Sequence, residues 1–183
     1  MTVRAIREER IDTPALALRV VTCEVADAAP PETLLRALVP TVDAFGAWPD
    51  TFPFDAARLD IEHWQQRSAE QFAREIDARA CWDLPLAEWG ETRPDVAASR
   101  ARLVRLLARA TPGDALCWHL TPCIRGVLPE QQWARDHAGH VAWIDLCVNW
   151  IREIGQPIFD YFEVWAAYAP SQGRAYWFEY ALD

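Results

Sequence analysis

The fold class this sequence predicts is α+β, a single domain over 1–183 with about four helices packed on a small, mainly antiparallel sheet, and three observations predict it. Stretches rich in β-branched and aromatic residues stand near both ends of the chain, at 15–25 and after 157. Between them, apolar residues recur at i, i+3, i+4 and i+7 spacing, the mark of amphipathic helices. A hydrophobic content of 51% with ten Trp supplies a real core, and a chain of 183 residues can bury roughly two thirds of its unfolded surface. The order read is strand, three helices, strand, helix, hairpin.

Residues 2–10 are weakly strand-like and suit a sheet edge. The segment 15–25 is a better strand. Its apolar residues fall on both parities, so it should be covered on two sides. Pro30 and Pro31 open a helix whose face is Leu34, Leu35, Leu38 and Val42, with Pro40 expected to end or kink it. After an acidic, aromatic, Pro-interrupted stretch, the pattern of Ile61, Trp64, Phe72 and Ile76 predicts one long helix from about Asp55 to Ala80. On its wet side, Glu70–Arg74 and Glu75–Arg79 should pair at i,i+4. Asp95 caps the next helix, with Val96, Leu103, Leu106 and Leu107 inward and Arg100, Arg102, Arg105 and Arg109 outward. The turn Thr111–Asp114 leads into a strand over 115–124. There Leu116, Trp118 and Leu120 share one face and Cys117, His119 and Thr121 the other.

A central buried helix is expected over 130–155, because Trp133, His137, His140, Ile144, Cys147, Ile151 and Ile154 form one stripe with a second apolar stripe beside it. Pro129 opens it; Gly155 and Pro157 close it. Two aromatic runs joined by Pro170–Gly173 then read as a C-terminal hairpin.

The formal charge is −9, from 27 acids against 18 Arg, with no Lys anywhere. Absence of Lys excludes a P-loop lysine, a Schiff base and any lysine-tethered cofactor. Excess acid repels phosphate, which argues against nucleic acid and for a basic protein partner. No run approaches the ~20 apolar residues of a membrane helix, and no leader is evident, so a cytoplasmic protein is expected, with an Arg- and Ala-rich usage suggesting a GC-rich bacterial gene. Five Cys, with no C-x-x-C pair, should be free thiols used in packing.

His137 and His140 share a helix face, and with Cys117, Cys123 or His119 they outline a metal site on paper. The ligand spacing of a zinc module is missing, so no metal and no cofactor are expected. If the chain were an enzyme, His137, His140 and Glu163 would be its acid–base residues, in a pocket lined by aromatic rings. Motifs for dinucleotides, nucleotide phosphates, zinc proteases and serine nucleophiles are absent. The acidic stretch is the most distinctive feature. Asp43, Asp50, Asp55, Asp60 and Glu62 have only Arg58 nearby, and Trp48 and Phe52 stand among them. Rings for burial and carboxylates for steering suit an interface with a basic protein.

The expectation is therefore a non-catalytic acidic binding protein that neutralises a basic, toxin-like partner, as a bacterial immunity protein does. The partner-binding residues are Asp43, Trp48, Asp50, Phe52, Asp55, Asp60 and Glu62, and no oligomeric state is implied. A small enzyme or ligand binder with an aromatic pocket, and an acidic secretion chaperone, are the other readings.

Overall fold

The computed structural model describes residues 1–15, 17–45, 59–84, 95–124, 150–151, 156–157 and 161–182. Its centre is a six-stranded sheet in which every neighbouring pair is antiparallel. The strands are β1 (Val3–Asp12), β2 (Ala17–Val25), β3 (Leu59–Arg67), β4 (Leu116–Ile124), β7 (Tyr161–Ala169) and β8 (Arg174–Leu182), in the order β1-β2-β8-β7-β4-β3. The short β5 (Trp150–Ile151) and β6 (Gln156–Pro157) pair with each other alone. Three α-helices are present among the described residues: α1 (Pro31–Phe45), α2 (Ala69–Arg79) and α3 (Val96–Ala110).

Helices cover both sheet faces. On one, Leu34, Leu35, Leu38, Val39 and Val42 of α1 pack on Val21, Cys23, Trp118, Leu120, Val164 and Trp177. On the other, Phe72 and Ile76 of α2 and Leu103, Leu106 and Leu107 of α3 pack on Leu18, Val20, Trp165, Phe178 and Tyr180. β2 therefore serves two cores, one with each parity, which is why its sequence lacks polar alternation. At 15 residues, or roughly 22 Å, α1 is long enough to reach across most of the sheet, and it packs against both edge strands, β1 and β3. Phe72 meets Phe178 edge-on at 5.5 Å, and Trp165 meets Tyr180 the same way at 5.8 Å. The Tyr180 hydroxyl donates to the Ile76 carbonyl at 2.9 Å, pinning α2 to the sheet.

The structure corrects several expectations. Residues 59–67 are a strand, so the long helix from Asp55 is replaced by β3 followed by α2. A register shift between Ile61 and His63 explains the misreading. Ile61 faces Pro122 and Trp64 faces Leu120, so a bulge places residues three apart on one sheet face, the spacing a helix would give. α2 starts at Ser68, which accepts from the Gln71 amide at 3.1 Å while the Gln71 side chain accepts from the Ser68 amide at 3.0 Å. Glu75 takes Arg67 at 3.2 Å and Arg79 reaches Glu163 at 2.7 Å.

Pro40 does not end α1, which continues to Phe45. Pro40 stands on the exposed side, where a missing main-chain hydrogen bond costs least. The helix expected over 130–155 falls almost wholly outside the described residues. At its far end, Trp150 and Ile151 are strand, opposite Pro157 and Gln156, so no helix runs through to 155. Cys23 and Cys117 are buried free thiols, whereas Cys81 is exposed, so it is not a core thiol as expected.

The remaining elements form where expected. Pro30 precedes α1, and the Leu34 amide donates to its carbonyl at 3.1 Å. Asp95 caps α3 by accepting from the Ala98 amide at 3.1 Å. β7 and β8 make the C-terminal hairpin through a 3-10 turn at Pro170–Gln172, and Gly173 closes it at φ +57°. That left-handed backbone is costly for any residue with a Cβ. Both sheet edges, β1 and β3, carry a register shift, a device that discourages pairing with foreign strands.

Candidate functional site

Of the residues expected to bind a partner, Asp43 lies in the last turn of α1, and Asp60 and Glu62 lie in the first half of edge strand β3. Trp48, Asp50, Phe52 and Asp55 lie outside the described residues. α1 and β3 pack together on one face, so the ends of the acidic stretch are anchored side by side. The last turn of α1 contains no basic residue, so Asp43 adds to a helix end that is already negative.

Arg19 of β2 compensates that end from below. Its Nη2 donates to the Val42 carbonyl at 3.2 Å, its Nη1 to Glu179 at 2.9 Å and its Nε to Glu8 at 3.1 Å. Glu179, with 4% of its surface exposed, also accepts from the Trp177 indole N–H at 2.6 Å. Arg10 donates to the other Glu8 oxygen at 3.0 Å. Burial alone would lower the Arg19 pKa, but Glu179 and Glu8 outweigh it and hold the guanidinium above its ordinary value. Burial likewise pushes Glu8 up, and Arg10 and Arg19 together bring it below the usual carboxylate range. Each charge in this group has a partner, so the network is structural. It fixes the β1–β2–β8 register and the end of α1.

The opposite face holds a second polar group. Glu163, expected as a general base, points to this face while Glu179 points to the other, and the Arg79 guanidinium occupies its carboxylate at 2.7 Å. His137 and His140 lie outside the described residues. Nearby, His119 stands opposite Trp165, their rings 5.4 Å apart, with the Arg67–Glu75 and Arg79–Glu163 pairs around them. Burial pulls the His119 imidazole below its ordinary pKa, and the surrounding acids and arginines largely oppose one another. His119 Nε2 and Trp165 Nε1 are buried with no hydrogen-bond partner among the described residues. No cluster of three or more metal-ligating side chains occurs among the described residues.

Ion pairing across the framework bears on both sites. Glu8, Glu9, Glu24, Glu32, Glu75, Asp77, Glu163 and Glu179 each hold an Arg of the same chain. Glu24 takes two, Arg4 and Arg174, the latter at 2.6 Å. The sequence marks Glu179 with Glu163 as carboxylates among the rings of the C-terminal hairpin, but not that Glu179 is the most buried acid among the described residues. Its partner Arg19 is 160 residues away. The capping box at Ser68 and Gln71 was a signal within reach, and it marks where β3 stops.

No protein-family model, curated protein or solved structure matches this chain. Among the described residues, no helix is long and apolar enough to cross a membrane.

Proposed function

We propose that this chain is a non-catalytic, acidic binding protein that docks a basic protein partner through residues 43–62 and neutralises it by covering its cationic working surface. A nuclease-like toxin is the kind of partner that fits, with the carboxylates of Asp43, Asp50, Asp55, Asp60 and Glu62 taking the place of phosphates. Trp48 and Phe52 supply the rings to be buried. The observation that carries this reading is the internal pairing of the framework acids. Eight carboxylates of the sheet and helices are committed to arginines of the chain itself. The acidic stretch has only Arg58 within it, so in sequence its own segment carries a surplus of carboxylate.

The test mixes the purified chain with the product of the adjacent gene and follows association as salt is raised. A tight complex whose on-rate falls steeply with ionic strength is expected, and Asp50→Asn with Asp55→Asn should slow association while leaving thermal stability unchanged. Failure to form a complex, or association indifferent to salt, overturns the reading.

A further inference from the structure

On the sheet face that α2 covers, one row of side chains crosses three strands. Gln65 of β3 stands opposite His119 of β4, which stands opposite Trp165 of β7. The His119 and Trp165 rings are 5.4 Å apart. Trp165 is 1% exposed, and its indole N–H and the His119 Nε2 are both buried without a hydrogen-bond partner. The Gln65 side-chain oxygen is turned to Arg67, from which it accepts at 2.7 Å. α2 packs on β4 and β3, and its Phe72 and Ile76 share a core with Trp165 and with Cys117, the neighbour of His119 on the same face of β4.

The charges around His119 cancel in pairs. β3 contributes Arg67 and the exposed His63, α2 contributes Glu75 and Arg79, and β7 contributes Glu163. Arg67 holds Glu75 at 3.2 Å and Arg79 holds Glu163 at 2.7 Å, so each pair joins α2 to a strand. α3, the other helix on this face, packs on β1, β7 and β8. A neutral imidazole tolerates this setting, since one of its nitrogens carries no proton. An imidazolium donates from both nitrogens, so its buried Nε2–H would stand beside the Trp165 N–H with no acceptor for either. The carboxylates that feel its charge, Glu163 and Glu75, are each held by an arginine, and taking one over breaks a pair that seats α2. α2 is also the least anchored helix. Two of its side chains are buried, Phe72 and Ile76, against four in α3 and at least five in α1, so it should lift before they do.

We infer that α2 is a proton-sensitive flap, lifted from β3 and β4 when His119 takes up a proton from water. With α2 raised, water reaches the ring and solvates its charge, a stabilisation that the seated form withholds. Acidification therefore favours the open form. The direction agrees with burial, which holds the seated imidazole below its ordinary pKa. An ordinary imidazole value of about 6.5 in the open form sets the size. Between about pH 7.5 and about pH 5.5 the open population should rise by up to about tenfold. The open form bares Trp165 and the apolar side of α2, so this face of the chain differs between neutral and mildly acidic conditions.

The test is amide hydrogen exchange of the full, isotope-labelled chain from about pH 7.5 to about pH 5.5, corrected for the intrinsic pH dependence of exchange and repeated in low urea. The amides of Phe72 to Ile76 should exchange faster than those of Leu103 to Leu107 and with a weaker urea dependence, the mark of a local opening. Their protection should fall by at least about twofold and up to about tenfold across that range. His119→Gln and, as a second variant, His119→Phe should each remove the fall. In the parent chain, the His119 ring signals should stay those of a neutral imidazole to below about pH 6.5. A common urea dependence for α2 and α3 overturns the inference, as does a smaller fall in protection or one that survives both substitutions. A His119 ring that titrates at or above its ordinary value overturns it whether or not the variants fold. No partner takes part, so this result is separate from that of the docking experiment.

Discussion

Replacing Glu179 by Ala should be among the most damaging single changes to the sheet. The carboxylate is 4% exposed, accepts from Arg19 at 2.9 Å and from the Trp177 indole at 2.6 Å, and is the main reason a guanidinium can sit in this part of the interior. Breaking a buried ion pair by removing one member costs roughly 3–5 kcal/mol, because the other charge stays behind unpaired. Arg19 keeps Glu8 and the Val42 carbonyl, which places the loss at the lower end, about 3 kcal/mol. In a chain of this size that amounts to roughly 6–12 °C in melting temperature. Glu179→Gln, which retains an acceptor, should lose less. The double replacement Arg19→Met with Glu179→Leu should recover most of the deficit, since an apolar pair leaves no stranded charge. Equilibrium unfolding in urea, followed by both tryptophan fluorescence and far-UV circular dichroism, measures each variant and tests for two-state behaviour. A loss under about 1 kcal/mol for Glu179→Ala, or a double variant as unstable as the two single losses added, would refute the account of this network as coupled and buried.

His119 should make stability fall on mild acidification. Burial lowers its folded pKa below the ordinary value of about 6.5, so the unfolded chain takes up the proton first. Stability then drops as pH falls through that value and levels off below the folded one. His119→Gln should flatten the slope of stability against pH between about 7 and 5, and an unchanged slope would contradict it. Gly173→Ala should cost about 1 kcal/mol by chemical denaturation, because the position is left-handed and a Cβ would stand 3.4 Å from the Val25 carbonyl. Cys81 occupies the same region at φ +48°, so Cys81→Gly should be neutral or stabilising by up to about 1 kcal/mol. Burial pushes the thiols of Cys23 and Cys117 up to about 12, so in native-state alkylation read by peptide mass spectrometry they should label only as fast as the chain opens, well behind exposed Cys81. Equal labelling rates would count against the described core.

Much of the fold was legible because it is written in local periodicity. The Pro-Pro start and the Leu34–Leu35–Leu38–Val42 face fixed α1, and Asp95 with the Leu103–Leu106–Leu107 stripe fixed α3. Alternation in 116–120 placed Trp118 and Leu120 in one core and Cys117 in the other. β3 was illegible for a physical reason. Edge strands tolerate polar residues, and a one-residue bulge gave Ile61 and Trp64 a helical spacing. Of the candidate site, the sequence put Asp43 in a loop and Asp60 and Glu62 on the long helix, where the structure has α1 and β3, and the surroundings of Glu163 could not be read ahead. Its partner Arg79 is 84 residues away and belongs to α2, which the sequence reading had merged with β3.

The sequence by itself determined the α+β class, the doubly covered β2, the C-terminal hairpin and the surplus of carboxylate. Those properties depend on composition and on repeats of two or three to four residues, which any short window contains. The tertiary structure alone decided the strand order, the register shifts at both edges and which arginine answers each glutamate. Such pairings join residues far apart in the chain, and they are set by which strands meet and which face each side chain takes, quantities that no local window holds.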